Sequence, residues 1–136
     1  MVHIYLASQY ARKEELRGYA KEATAAGLLV TANWLNERWP PHTTLHDVRP
    51  ATMRKYAEKD KADIERSDVF VLFAEHPHKH PPRGGRHVEL GLALGESKRV
   101  YVVGAHENIF HYLPIVHVMP TWGAVLADIR KTYRIP

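Results

Sequence analysis

Cysteine is absent from this 136-residue chain. That excludes disulfides, thiol nucleophiles and cysteine-based zinc sites. No apolar run approaches the roughly 20 residues that a bilayer-spanning helix needs. The start, Met1-Val2-His3-Ile4-Tyr5, lacks a basic region followed by an apolar core, so no secretory signal is read there. Internal repeats and low-complexity stretches are also missing. Neither G-x-x-x-x-G-K-[ST] nor G-x-G-x-x-G follows the first strand pattern, which counts against an ordinary mononucleotide-binding fold. That strand ends in Ala7-Ser8-Gln9 rather than in acids, unlike a receiver-type signalling domain. The net charge of +4 is mildly basic, which suits a small phosphorylated ligand. No Lys/Arg run is long enough to favour nucleic acid. The expectation is one soluble, cytoplasmic domain spanning residues 1–136, with no membrane partner.

What is present alternates. Apolar strand patterns fall at 2–7, 28–35, 68–73, 99–103 and 115–119, and helical patterns at 11–26, 51–67, 88–97 and 121–133. Gly27 stops the first helix, and Thr121 is placed to cap the last. Near-continuous apolar strands alternating with helices predict a five-stranded parallel sheet covered on both faces. In such sheets ligands bind beyond the carboxyl ends of the strands, at the topological switch point. The loops at 8–12, 36–50 and 74–86 should converge there. The second is long and proline-bearing, with Trp39, His42 and His46, and a loop of that length is commonly a lid.

Two carboxylates carry the chemistry. Arg83-Gly84-Gly85-Arg86-His87-Val88-Glu89-Leu90-Gly91 puts an acid just inside an apolar helix, behind a basic glycine-rich loop. Helix N-termini attract anions, so an acid there is out of place in a pure phosphate site and in place as a nucleophile. The plainer reading is a first-turn acid favoured by the helix dipole. In the helix at 51–67, Met53, Tyr56, Ala57, Asp60, Ile64 and Ser67 form an inward stripe, with Lys59, Lys61, Asp63 and Glu65 assigned to solvent. Asp60 thus faces inward, or meets water at the edge of the stripe. Two inward carboxylates on helices flanking one strand suit glycosidic chemistry, one attacking the sugar and one handling a proton. His76, His78, His80 and His87 invite a metal, but the first three alternate with Pro77 and Lys79 without a rigid scaffold, so no metal and no cofactor is expected.

Three segments in register then carry a resemblance. Ile4-Tyr5-Leu6-Ala7-Ser8, Asp60-x-x-x-Ile64-x-x-x-Asp68-Val69 and Gly85-Arg86-His87-Val88-Glu89-Leu90-Gly91-x-Ala93 resemble the nucleoside 2-deoxyribosyltransferase-like superfamily, which includes deoxynucleoside 5′-monophosphate N-glycosidases. The end segment, Glu107 to Pro114 followed by Pro120-Thr121-Trp122, looks like a bacterial and phage branch of it. The resemblance implies a flavodoxin-like (Rossmann-like) three-layer α/β sandwich that cleaves or transfers at the N-glycosidic bond of a nucleoside or its 5′-monophosphate. It gives Glu89 as the nucleophile of a covalent glycosyl-enzyme intermediate, Asp60 as the acid and Tyr5 as the tyrosine orienting the glutamate. Tyr10 falls where an aromatic meets the base, and Ser8 replaces a frequent glycine. Arg83 stands where transferases carry a base-reading aspartate. With Arg86, and beside Gly85 and His87, it suggests a 5′-phosphate site. The family usually completes its site across a dimer, making Asn108, His111 and Tyr112 candidates for reaching a neighbouring subunit; the plainer alternative is an intramolecular turn. Hydrolase versus transferase, base identity and ribose versus deoxyribose stay open. The competing class is a non-catalytic nucleotide-binding sensor.

Overall fold

The computed structural model describes residues 1–37, 49–75 and 84–136. Trp39, His42, His46, His76, His78, His80 and Arg83 lie outside the described residues. Five strands form one parallel sheet, β1 (His3–Ala7), β2 (Leu29–Val30), β3 (Val69–Phe73), β4 (Arg99–Val103) and β5 (Val116–Met119), in the order β2-β1-β3-β4-β5. Among the described residues α1 (Lys13–Ala25), α2 (Pro50–Glu65) and α3 (Gly85–Gly95) connect the first four strands, a 3₁₀ turn at Ile109–Tyr112 leads to β5, and α4 (Trp122–Thr132) follows it. This is the parallel sheet covered on both faces that the alternation predicts, in the flavodoxin-like three-layer form that the resemblance implies. The strand order reverses direction between β1 and β3, the two strands that carry the most buried side chains of the core.

Strand parity sorts side chains onto two faces. Tyr5 is opposite Phe70 in the β1–β3 register, and both turn to the α2/α3 side. Phe73 has the other parity and meets Tyr19 of α1 and Trp122 of α4, with ring centroids 5.1 and 6.0 Å away. The β3 sequence Val-Phe-Val-Leu-Phe is buried throughout, because helices cover both sides.

Several boundaries differ from the sequence expectation. The first helical pattern begins as a 3₁₀ turn, Tyr10–Arg12, before α1. Strand β2 has two residues instead of the expected 28–35. After Thr31 donates to the Ile4 carbonyl, the chain peels away into a 3₁₀ turn at Asn33–Asn36. The indole N–H of Trp34 then donates to the Leu6 carbonyl at 2.9 Å, and the Asn33 N–H goes to Asp63. A tryptophan side chain thus stands in for backbone pairing. Helix α3 starts at Gly85 rather than at 88, with Gly84 before it in the left-handed region at φ 82°. Only glycine adopts that conformation without cost. Helix α4 is capped as expected, the Thr121 hydroxyl accepting from the Ala124 N–H at 3.1 Å.

Helix α2 corrects the proposed stripe. Ala57 is exposed, whereas Asp63 is 1% exposed and accepts from the Asn33 backbone and side-chain amides at 3.0 Å each, and from Arg66 at 2.5 Å. The buried side therefore runs through 60, 63, 64 and 67. Periodicity alone permits Asp63 there; its charge is what argued for solvent.

Candidate active site

Tyr5 is fully buried in the middle of β1, and its ring stacks on Phe70 at 5.6 Å with 7° between planes. Sheet and stacking leave the phenol no freedom, and its hydroxyl donates to the Glu89 carboxylate of α3. Glu89 lies in the second turn of α3, deeper than the first-turn position expected. Burial pushes the Glu89 carboxyl up to about 7; the Tyr5 bond opposes that rise, and Asp60 adds to it. The phenol is itself driven well above its ordinary value, first by burial and then by Glu89. It stays a donor throughout the physiological range.

Asp60 comes to the same site from α2. Its carboxyl is also pushed up to about 7, mainly by burial, then by Glu37 and Asp63, with Lys59 pulling the other way. The Oδ1 atom is buried with no hydrogen-bond partner among the described residues. The two acids feel one another and titrate as a coupled set, yet their surroundings separate them. Glu89 receives a hydrogen bond that favours its charged form, and Asp60 receives none and faces other acids. Both carboxyls are thus held near neutrality, side by side.

The remaining candidates fall into two groups. Ser8 follows β1 at the strand's carboxyl end, and its hydroxyl donates to the Gln9 carbonyl at 2.8 Å. Tyr10 is half exposed, with its ring 6.4 Å from Trp34 and the Lys13 ammonium 5.1 Å from its centroid. Gly85 opens α3. These line the carboxyl edge of β1 and β3, as expected of a ligand site.

Arg86, His87, Asn108 and His111 instead bind one another. Arg86 is 3% exposed, contrary to a solvated phosphate loop, and pairs with Glu107 at 2.5 Å. Asn108 accepts from the Phe110 N–H at 2.9 Å, and its amide lies 3.3 Å from His87 Nδ1. His111 is buried, with Nδ1 accepting from the Glu107 N–H at 3.0 Å. Burial lowers the proton affinity of both imidazoles, His87 being further opposed by Arg86. Of the three residues considered for a neighbouring subunit, Tyr112 alone stands out in solvent, stacked on His106 at 4.1 Å. Asn108 and His111 hold their own chain together, which is the intramolecular alternative.

His87, Glu107 and His111 bring donor atoms within 4.8 Å of one another. The bond at His111 Nδ1 leaves the proton on Nε2, and Arg86 already occupies the carboxylate. Both features oppose a cation. Trp34, Glu37, Asp63 and Glu107 are the site neighbours that sequence reading missed. Asp63 alone had a signal, its helical spacing.

The fold has clear relatives among solved structures. The Clostridium botulinum CMP N-glycosidase superposes with a TM-score of 0.56 at 18% identity, over 95% of this chain and 98% of that one. The 2-deoxyribosyltransferase of Bacillus psychrosaccharolyticus gives 0.67 at 20% identity, over 92% and 90%. A conserved protein from Enterococcus faecalis V583 gives 0.66 at 13%, over 97% and 99%. The chain has the nucleoside 2-deoxyribosyltransferase-like fold. No family model and no curated protein matches it by sequence. No helix among the described residues is long and apolar enough to cross a membrane.

Proposed function

We propose that the protein is an enzyme that cleaves or transfers at the N-glycosidic bond of a nucleoside or nucleoside 5′-monophosphate. The observation that carries this reading is the buried Tyr5–Glu89 hydrogen bond beside Asp60, whose buried Oδ1 has no hydrogen-bond partner among the described residues. A site that merely binds an anion gains nothing from two carboxyls. The two fold relatives with named activities, one acting on CMP and one transferring 2-deoxyribosyl groups, support it.

In this mechanism the Glu89 carboxylate attacks C1′ as the bond from C1′ to the base nitrogen breaks. The electron pair leaves with the base, and the Asp60 proton neutralises it. A glycosyl ester on Glu89 results. Water or a second base then attacks C1′ and displaces Glu89. When water attacks, its proton returns to Asp60. Tyr5 holds the attacking oxygen in line and keeps Glu89 ionised. Ser8, Tyr10, Gly85 and Arg83 are assigned to the substrate, Tyr10 against the base and Arg83 toward a 5′-phosphate. Arg86 and His87 act indirectly, by fixing the start of α3. Tyr112 is the residue proposed to reach a second subunit of a homo-oligomer.

The test is base release from a panel of nucleosides and 5′-monophosphates, with and without an acceptor base. Glu89→Ala is expected to lower release on the order of 10³-fold or more. A sugar-sized mass on Glu89 in a stalled reaction is expected as well. Tight nucleotide binding by wild type with no base released from any substrate would overturn the proposal in favour of the sensor reading.

A further inference from the structure

Beside Asp60 stands a group of charges that the mechanism above does not use. Glu37 ends the 3₁₀ turn after β2, with its side chain 19% exposed, and Lys59 pairs with it at 2.5 Å. Asp63, one turn along α2, is 1% exposed and bound by Asn33 and by Arg66 at 2.5 Å. Three carboxyls thus share this corner with two cations, and both cations are committed. Lys59 is on Glu37 and Arg66 is on Asp63. Among the described residues Asp60 has no ion-pair partner, and its Oδ1 atom is buried without a hydrogen bond from them.

Lys59 precedes Asp60 in the chain, but neighbouring helix positions do not face one another, and its ammonium reaches to Glu37. The result is a carboxyl surrounded on α2 and on the turn after β2 by carboxylates that already hold their counter-ions. The groups that face Asp60 are Glu37, Asp63 and Lys59, with Glu89 of α3 and Tyr5 of β1 on the sheet side.

We propose that Glu37 is a positioning residue for the reaction: by capturing Lys59 and placing its own charge beside Asp60, it keeps Asp60 as the proton-bearing acid. This rests on the N-glycosidic reading and assigns a role to a residue outside the reacting groups. Within it, Asp63 is the fixed member, tied to Asn33 and Arg66, and Glu37 is the adjustable one. A like charge nearby disfavours ionisation, and an opposite charge favours it. The two members of the Glu37–Lys59 pair must therefore act on Asp60 with opposite sign.

The experiment is a pH profile of base release for wild type, Glu37→Gln, Glu37→Asp and Lys59→Gln, combined with a direct NMR titration of the Asp60 carboxyl in each. Asp60 must be protonated to act, so activity falls on the alkaline side as it ionises. Glu37→Gln is expected to move that alkaline limb to lower pH by about one unit, which is about a tenfold loss well above the limb. Lys59→Gln should move it upward by less, because Lys59 is screened by solvent. Glu37→Asp should restore most of the wild-type position. A purely structural Glu37 would lower the rate at all pH values and leave both the limb and the NMR midpoint in place, and that result overturns the proposal. The NMR arm keeps the two readings apart. Unchanged Asp60 titration with normal turnover ends the role of Glu37 alone. A shifted titration with no base release from wild type ends the N-glycosidic reading and keeps the electrostatic coupling.

Discussion

The two faces of the one sheet are built to different standards of completeness. On the α1/α4 side, polar groups near the core are matched. Trp122 donates to Glu22 at 2.6 Å, Tyr101 donates to Asp128 at 2.6 Å, and Arg99 donates to the same aspartate at 3.0 Å. Arg12 joins Glu15, Glu75 and the Ala74 carbonyl while lying 5.9 Å from the Phe73 ring centroid. On the α2/α3 side and in the segments resting on it, Asp60 Oδ1, Arg86 Nε, Glu107 Oε2 and His111 Nε2 are buried without hydrogen-bond partners among the described residues. Unmatched buried polar atoms are costly and uncommon in folded proteins. Their concentration on one side marks where stability has been given up, and the matched side is what makes that tolerable.

The sharpest way to break this comparison is to damage the matched side and look for an effect on chemistry. Trp122 is 6% exposed, stacks near Tyr19 and Phe73, and is far from Glu89 in the layer order. Trp122→Ala is expected to cost about 3–5 kcal/mol of stability in denaturant unfolding. The turnover of the molecules that remain folded should be unchanged. Lost turnover per folded molecule would mean that the two faces are not separable.

Next in size is Tyr5→Phe. It keeps the stacking on Phe70 and removes the hydrogen bond to Glu89. A bond to a charged group contributes roughly 1.5–3 kcal/mol, so the Glu89 carboxyl should rise further above about 7. The acid limb of the pH–rate profile should climb by about one unit. Activity at pH 6 should suffer more than activity at pH 8. A uniform loss would show that Tyr5 only packs.

Asp60→Asn tests the stability cost on the unmatched side. The folded-state carboxyl sits at about 7 against 3.8 ordinarily, so the folded protein binds more protons than the unfolded chain between those values. Wild-type stability is therefore full below about pH 4 and falls as pH climbs through 7. Asp60→Asn should remove that fall, stabilising the fold by on the order of 1–2 kcal/mol at pH 8 after solvent screening, and by almost nothing at pH 4. Thermal melts at both pH values decide it, and equal effects at the two would sink the assignment. The smallest expected effect is Thr121→Ala. It removes the cap of α4 and should cost about 1 kcal/mol with no change in any pH profile.

How legible each side was follows from what fixes it. The parallel five-stranded sheet was readable because strands covered on both faces must be continuous apolar runs, and β3 and β4 are. Glu89 and Asp60 were picked out by type and spacing and Tyr5 by the family resemblance, and the structure brings the three together. The short β2 was not readable, because its pairing is completed by the Trp34 side chain and by Asp63. Propensity carries no record of such a long-range substitution. Nor was the burial of Arg86 readable, since it depends on Glu107, twenty-one positions further on. Charged residues are assigned to solvent by default. Asp63 and Arg86 were misplaced for that one reason.

The ring of Tyr5 has a consequence for the order of events in folding. Its hydroxyl meets Glu89 only when β1 lies against β3 with Tyr5 opposite Phe70. A slip of one residue turns every β1 side chain to the opposite face, sending the phenol toward α1 and leaving the glutamate unaimed. Because β1 is central, that register is secured only once its neighbours on both edges are in place. The Tyr5–Glu89 hydrogen bond thus forms late, by the same pairing that completes the sheet.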